Sequence, residues 1–265
     1  MRARSQRHDG ALMFARFAYP PNALGLCGPS DSAALFENSS DQREGASIST
    51  ETSRELRSLA QGFEGAWPYL QLIAGANNIG DPLDARVVEA YWVGNALLAN
   101  VSVAVLGGSL DERFRRRAGR GWPALAACLE ARAEPHHNFH VFSVYPWVGL
   151  LNHGSGELPQ RVLDQCRIRW GRVVTVSGDQ AVIRSRPVDW DGQHLTLGVA
   201  RPEVVNWRDS GRSLIDAPNP GDVVALHWGW LCQSLTPAQV TALRRQTRLQ
   251  LSAANERLRE AAALR

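Results

Sequence analysis

Two groups of side chains in this sequence have the types and spacing for metal chemistry. The first is Cys166 with His227. Cys166 stands five residues ahead of Gly171 in the run Cys166-Arg-Ile-Arg-Trp-Gly171-Arg-Val-Val. His227 closes the run Pro220-Gly221-Asp222-Val-Val-Ala-Leu-His227-Trp-Gly229-Trp. A thiolate and an imidazole brought together from separate strands suit a borderline-soft metal such as Fe(II). Taken singly, Cys166 is equally at home as a small buried hydrophobe, and His227 as a hydrogen-bonded residue at a strand end. The second group is His136, His137 and His140, in which His136 and His140 share a face. With His153 or Glu134 they can form a site for zinc, iron or nickel. HHxxH lacks the HExxH glutamate that would serve as a hydrolytic base, and the simpler reading is an inter-domain surface or hydrogen bonds to the backbone.

The other candidates are weaker. Cys27-Gly28-Pro29 is a turn-rich segment whose thiol is either exposed and reactive or packed. Cys128 falls on an apolar helix stripe, and Cys232, five residues after His227, is a reserve ligand. Glu64 and Glu89 lie in apolar helices, where a buried carboxylate needs a partner such as Arg57 or Arg86.

Four cysteines without a CxxC pair make neither a disulfide framework nor a zinc ribbon. The formal charge of +3, from 29 basic and 26 acidic residues, is too small to imply nucleic acid. The arginines at 113, 115, 116, 117 and 120 read as a solvated helix face. Ala11 to Ala18 is short and interrupted by Arg16, so it makes no secretory segment. No stretch approaches the roughly eighteen apolar residues of a membrane span. These features predict a cytoplasmic protein with reduced thiols.

The elements that must position these groups change character along the chain. The first ten residues read as a loose tail. Thr52 with Glu55 has capping-box spacing, and Leu56, Leu59, Ala60 and Phe63 follow at helical spacing, with Pro68 able to split the element. Asp81-Pro82 opens a further helix through Val87 and Tyr91. Ser109 with Glu112 and then Pro123 open two more. His137 to Val144 alternates and predicts a strand. Gly154-Ser155-Gly156 and Pro159 mark a boundary. Beyond it the period becomes two, over Ile168 to Val176, Ala181 to Ile183, Leu195 to Leu197 and Val223 to Leu226. Thr236-Pro237 opens a final helix with a stripe through Val240, Leu243, Thr247, Leu251, Ala254 and Leu258. The expected fold is α+β: a mostly helical region over 1–155, then a small β-barrel with a terminal helix over 160–265.

The ordered elements of the second part resemble the HypC/HupF family of [NiFe]-hydrogenase maturation chaperones. The matching positions are Cys166, Gly171, Val173, Pro220, Gly221, Asp222, His227 and Gly229, with Leu235 and the last helix where that family has its closing segment. The resemblance covers the last two-fifths of the chain and implies that Cys166 and His227 handle iron as a cyanide- and carbonyl-bearing fragment. It implies as partners a hydrogenase large-subunit precursor or another maturation protein. Family members carry the cysteine directly after the initiator methionine, whereas Cys166 is internal. The stretch from Leu197 to Pro220 is longer than the family's, and Pro202 with Asn206 to Gly211 suggests an insertion. The helical part resembles an uncharacterised bacterial family. Two alternatives stand beside the chaperone reading: a metal-dependent enzyme using His136, His137 and His140, and a metal-free interaction scaffold.

Overall fold

The computed structural model describes residues 9–42, 48–118, 133–152 and 156–263. The first helix, α1 (Gly10–Ala23), is capped by the Asp9 carboxylate and is apolar around nearly its whole circumference. Such a helix must be covered on all sides. It is packed against α2 (Ser32–Ser39), α3 (Thr50–Gln61) and α5 (Ala85–Trp92), and also against the second half of the chain. α3 is capped three residues earlier than expected, by Ser49, whose hydroxyl accepts the Thr52 N–H. Pro68 does split the element, and α4 (Trp67–Ala76) begins beside it. Asp84, not Asp81, caps α5; Asp81 holds the preceding turn through the Leu83 N–H at 2.8 Å. α6 (Val103–Ala118) runs straight through Ser109. The helix expected at Pro123, with Cys128, lies outside the described residues, as do His153, Arg120 and the side chains of Arg115 to Arg117.

Residues 137–144 are helical, not extended. His137–Phe139 form one α turn that widens into a π turn over His140–Val144, closed by the Tyr145 N–H on the His140 carbonyl at 3.0 Å. A short helix at Trp147–Leu150 follows, then α7 (Glu157–Cys166), started by Gly156 at φ 70°.

Five strands form the sheet: β1 (Arg169–Ser177), β2 (Gln180–Ser185), β5 (Arg201–Asn206), β8 (Val223–His227) and β9 (Trp230–Ser234). Their pairings run β1-β2-β5-β9-β8 and return to β1, the closure between β5 and β9 being one parallel pair, Asn206 with Trp230. β3 (Val188–Trp190) with β4 (Leu195–Leu197), and β6 (Arg208–Asp209) with β7 (Arg212–Ser213), form two small hairpins. The Pro202 segment is part of β5, an integral strand of the sheet. Only its β2 side carries a full ladder, which suits a residue without an N–H. The last helix, α8 (Pro237–Ala263), packs on the π turn and on β1 and β4. One cluster of buried side chains joins the helical half to Ile168, Ala225, Cys232 and Leu243, so both halves share a core.

Candidate metal centre

Three donors from three separate elements converge in a buried cavity. Cys166 is the last residue of α7, His227 the last of β8, and His137 the first of the short α turn. One ligand atom from each lies within 4.8 Å of the other two. The two imidazole rings stand nearly perpendicular at 5.1 Å, and Trp92 touches both.

Local sequence explains each placement. The β8–β9 hairpin turns through Trp228 and Gly229, both at positive φ (46° and 75°), the pattern of a type I′ turn. That turn is the physical reason for the glycine in His227-Trp-Gly. A bulky residue in the left-handed region is strained, and the Trp228 side chain lines the cavity wall. The chain just after Cys166 is anchored by two arginines. Arg167 pairs with Asp164 at 3.0 Å and Arg169 with Glu203 at 2.7 Å, both guanidinium groups being almost fully buried. Asn138, between the histidines, accepts the Ile168 N–H at 2.9 Å and so ties the helical turn to the start of β1.

His227 has the hydrogen bonding of a metal ligand. Its Nδ1–H donates to the Phe17 carbonyl at 2.7 Å. In a regular helix that carbonyl would be taken by residue 21, but Pro21 has no N–H to give. A neutral imidazole that donates from Nδ1 carries its lone pair on Nε2, and the buried Nε2 of His227 makes no hydrogen bond of good geometry among the described residues, the nearby Cys166 carbonyl being taken by His137. An Nδ1–H held by a backbone carbonyl is the usual outer support of a ligating histidine. His137 is engaged at both nitrogens: Nε2 donates to the Cys166 carbonyl at 2.8 Å, and Nδ1 faces the Tyr91 hydroxyl at 3.3 Å. Ligation by His137 would require giving up one of these bonds.

Burial sets the charge states. It pushes the Cys166 thiol up to about 12, with the Cys27 thiol adding to the shift and the Trp228 N–H opposing it. It holds His137 down at about 4 and His227 well below the usual imidazole range. At neutral pH the centre is an uncharged thiol beside two neutral imidazoles.

The second expected group divides. His137 joins the centre. His140 lines the same cavity but is not one of the three converging donors. His136 does not line it. It caps the short helix, accepting the Asn138 N–H at Nδ1 (2.9 Å), and burial keeps it neutral. Glu134 faces α8 instead, taking Arg245 at 2.9 Å and Gln246 at 2.5 Å. Cys232 is buried in the shared core, away from the cavity lining. Glu89 meets Gln239 and Asn95 in place of an arginine, while Arg57 and Arg86 pair with Asp81 and Asp84. Sequence reasoning missed Arg167 and Arg169 altogether, and their only signal was a charged residue alternating with Ile168 into a strand.

The chain belongs to a family of unknown function, DUF6390. The family's model matches residues 6–261, and so includes all three donors and both halves of the fold. No curated protein and no solved structure matches the chain. Among the described residues, no helix is long and apolar enough to cross a membrane.

Proposed function

We propose that this chain is a [NiFe]-hydrogenase maturation factor whose second half is a small barrel of the HypC/HupF kind. It holds an iron fragment at Cys166 and His227, with His137 as third donor, and passes it to a large-subunit precursor or another maturation protein in the cytoplasm. The observation that carries this reading is the convergence of the three ligand atoms within 4.8 Å. The unpartnered Nε2 of His227 and a soft sulfur beside it fit an iron(II) cargo. The internal position of Cys166 removes the α-amine that family members have near their cysteine. His137, brought in by the helical half, supplies a nitrogen donor in that neighbourhood. This gives the helical half a role in the site itself.

The enzyme reading with His136, His137 and His140 as ligands is less well supported, because Nδ1 of His136 is committed to a helix cap. The test is anaerobic co-expression with the hydrogenase maturation machinery, followed by infrared spectroscopy of the purified chain. Cyanide and carbonyl bands are expected in the wild type and in Cys232→Ala, and should vanish in Cys166→Ala and His227→Ala. Bands that persist in Cys166→Ala would refute the assignment.

A further inference from the structure

The same cavity carries a polar group that the iron reading does not use. His140 Nδ1 lies 3.0 Å from the Tyr69 hydroxyl. The Arg113 guanidinium lies over the Tyr69 ring at 4.7 Å. The buried Tyr69 hydroxyl has no other acceptor among the described residues, so it donates to His140 Nδ1, which places the imidazole proton on Nε2. That Nε2–H is buried and has no acceptor among the described residues. Gly65 leaves space beside it, since a Cβ there would stand 3.4 Å from Nε2. A buried donor in an apolar chamber is costly to leave unpaired.

The chamber has a volume of about 380 Å³, within the range of roughly 300–1,000 Å³ typical of sites for small organic molecules. Its walls are mainly aromatic and aliphatic, and the exposed Leu26 and Leu158 mark its mouth. Among the described residues, no carboxylate, lysine or arginine lines it. A charged organic ligand would lose its hydration there without a counter-charge, so among organic molecules the chamber favours neutral ones.

We propose that this cavity binds a small, neutral, largely apolar organic molecule whose hydrogen-bond acceptor takes the His140 Nε2–H. The proposal goes beyond the iron reading and does not need a bound metal, so it is tested on metal-free protein. The probes are acetophenone and its near-isostere α-methylstyrene, in which a methylene replaces the carbonyl oxygen. Binding is followed by calorimetry and tryptophan fluorescence. Both should bind saturably at one site, acetophenone about tenfold more tightly, the factor that one net hydrogen bond provides. The preference should vanish in His140→Phe. Leu158→Trp, a change at a residue 64% exposed, should obstruct the mouth and weaken both probes. If His140→Phe fails to fold, the wild-type pair and Leu158→Trp still decide. Equal affinity for the two probes in the wild type, or no saturable binding of either, would overturn the proposal. Its failure would leave the iron reading intact, and loss of the infrared bands would leave this one intact.

Discussion

Loading a metal at Cys166 must expel a proton, and burial determines how many others go with it. The thiol is pushed up to about 12, so it is protonated at neutral pH and must ionise before it can ligate. His137, held at about 4, and His227, held well below its usual range, are already neutral and have no proton to release between pH 6 and pH 9. Binding therefore releases one proton per metal. The apparent association constant should rise about tenfold per pH unit across that window, falling as pH falls because the thiol's proton competes with the metal. Compared with a thiol at its ordinary value of 9.0, deprotonation consumes about 4 kcal/mol of the gross metal–sulfur interaction. An exposed site would behave differently: its slope would flatten near pH 9, and its imidazoles would release additional protons near pH 6. Calorimetric titration of zinc(II) into metal-free protein, in buffers of different ionisation enthalpy, gives the proton count directly. A count of two or more at pH 7, or an affinity independent of pH from 6 to 9, would refute the reasoning.

Three further outcomes follow from the geometry. His227→Ala should abolish metal binding, whereas His137→Ala should weaken it more mildly. His137 must lose a hydrogen bond worth about 1 kcal/mol to ligate, and equal losses in parallel zinc titrations would contradict this. Glu203→Gln leaves the buried Arg169 guanidinium with only the longer Asp164 contact at 3.8 Å and should destabilise the fold by about 2 kcal/mol, read from urea unfolding; an unchanged midpoint would count against the role of this ion pair at the start of β1. In Gly171→Ala the new Cβ would meet Ile183 Cγ2 and the Arg184 carbonyl oxygen at 2.3 and 3.0 Å. A loss of about 1–3 kcal/mol is expected, and a neutral result would show that β1 and β2 can separate there.

The sequence made the half-buried elements legible. Strands β1 and β2 alternate, and α8 carries a clean apolar stripe, because each has one face on the core and one in water, while β8 was legible as a short apolar run. Two of the elements that were misread are buried all round. α1 has no polar face, so Ala11 to Ala18 is weighed only as a secretory segment, although it packs on both halves and supplies the Phe17 carbonyl. Residues 137–144 mix histidine, asparagine and apolar residues on every side of a short buried turn, and alternation there carried no information about period. β5 was hidden by Pro202 and by Glu203, whose charge is matched by Arg169 across the sheet. The pairing of Cys166 with His227 was visible from their flanking motifs. The arrival of His137 was not, because it depends on how the two halves pack.

The most direct test of the central claim is X-ray absorption on zinc-reconstituted protein at pH 8. The account predicts one sulfur neighbour at about 2.3 Å and imidazole nitrogens at about 2.0–2.1 Å, with the sulfur shell lost in Cys166→Ala and one imidazole lost in His137→Ala. A zinc ion bound without sulfur, or a sulfur shell that survives Cys166→Ala, would contradict it.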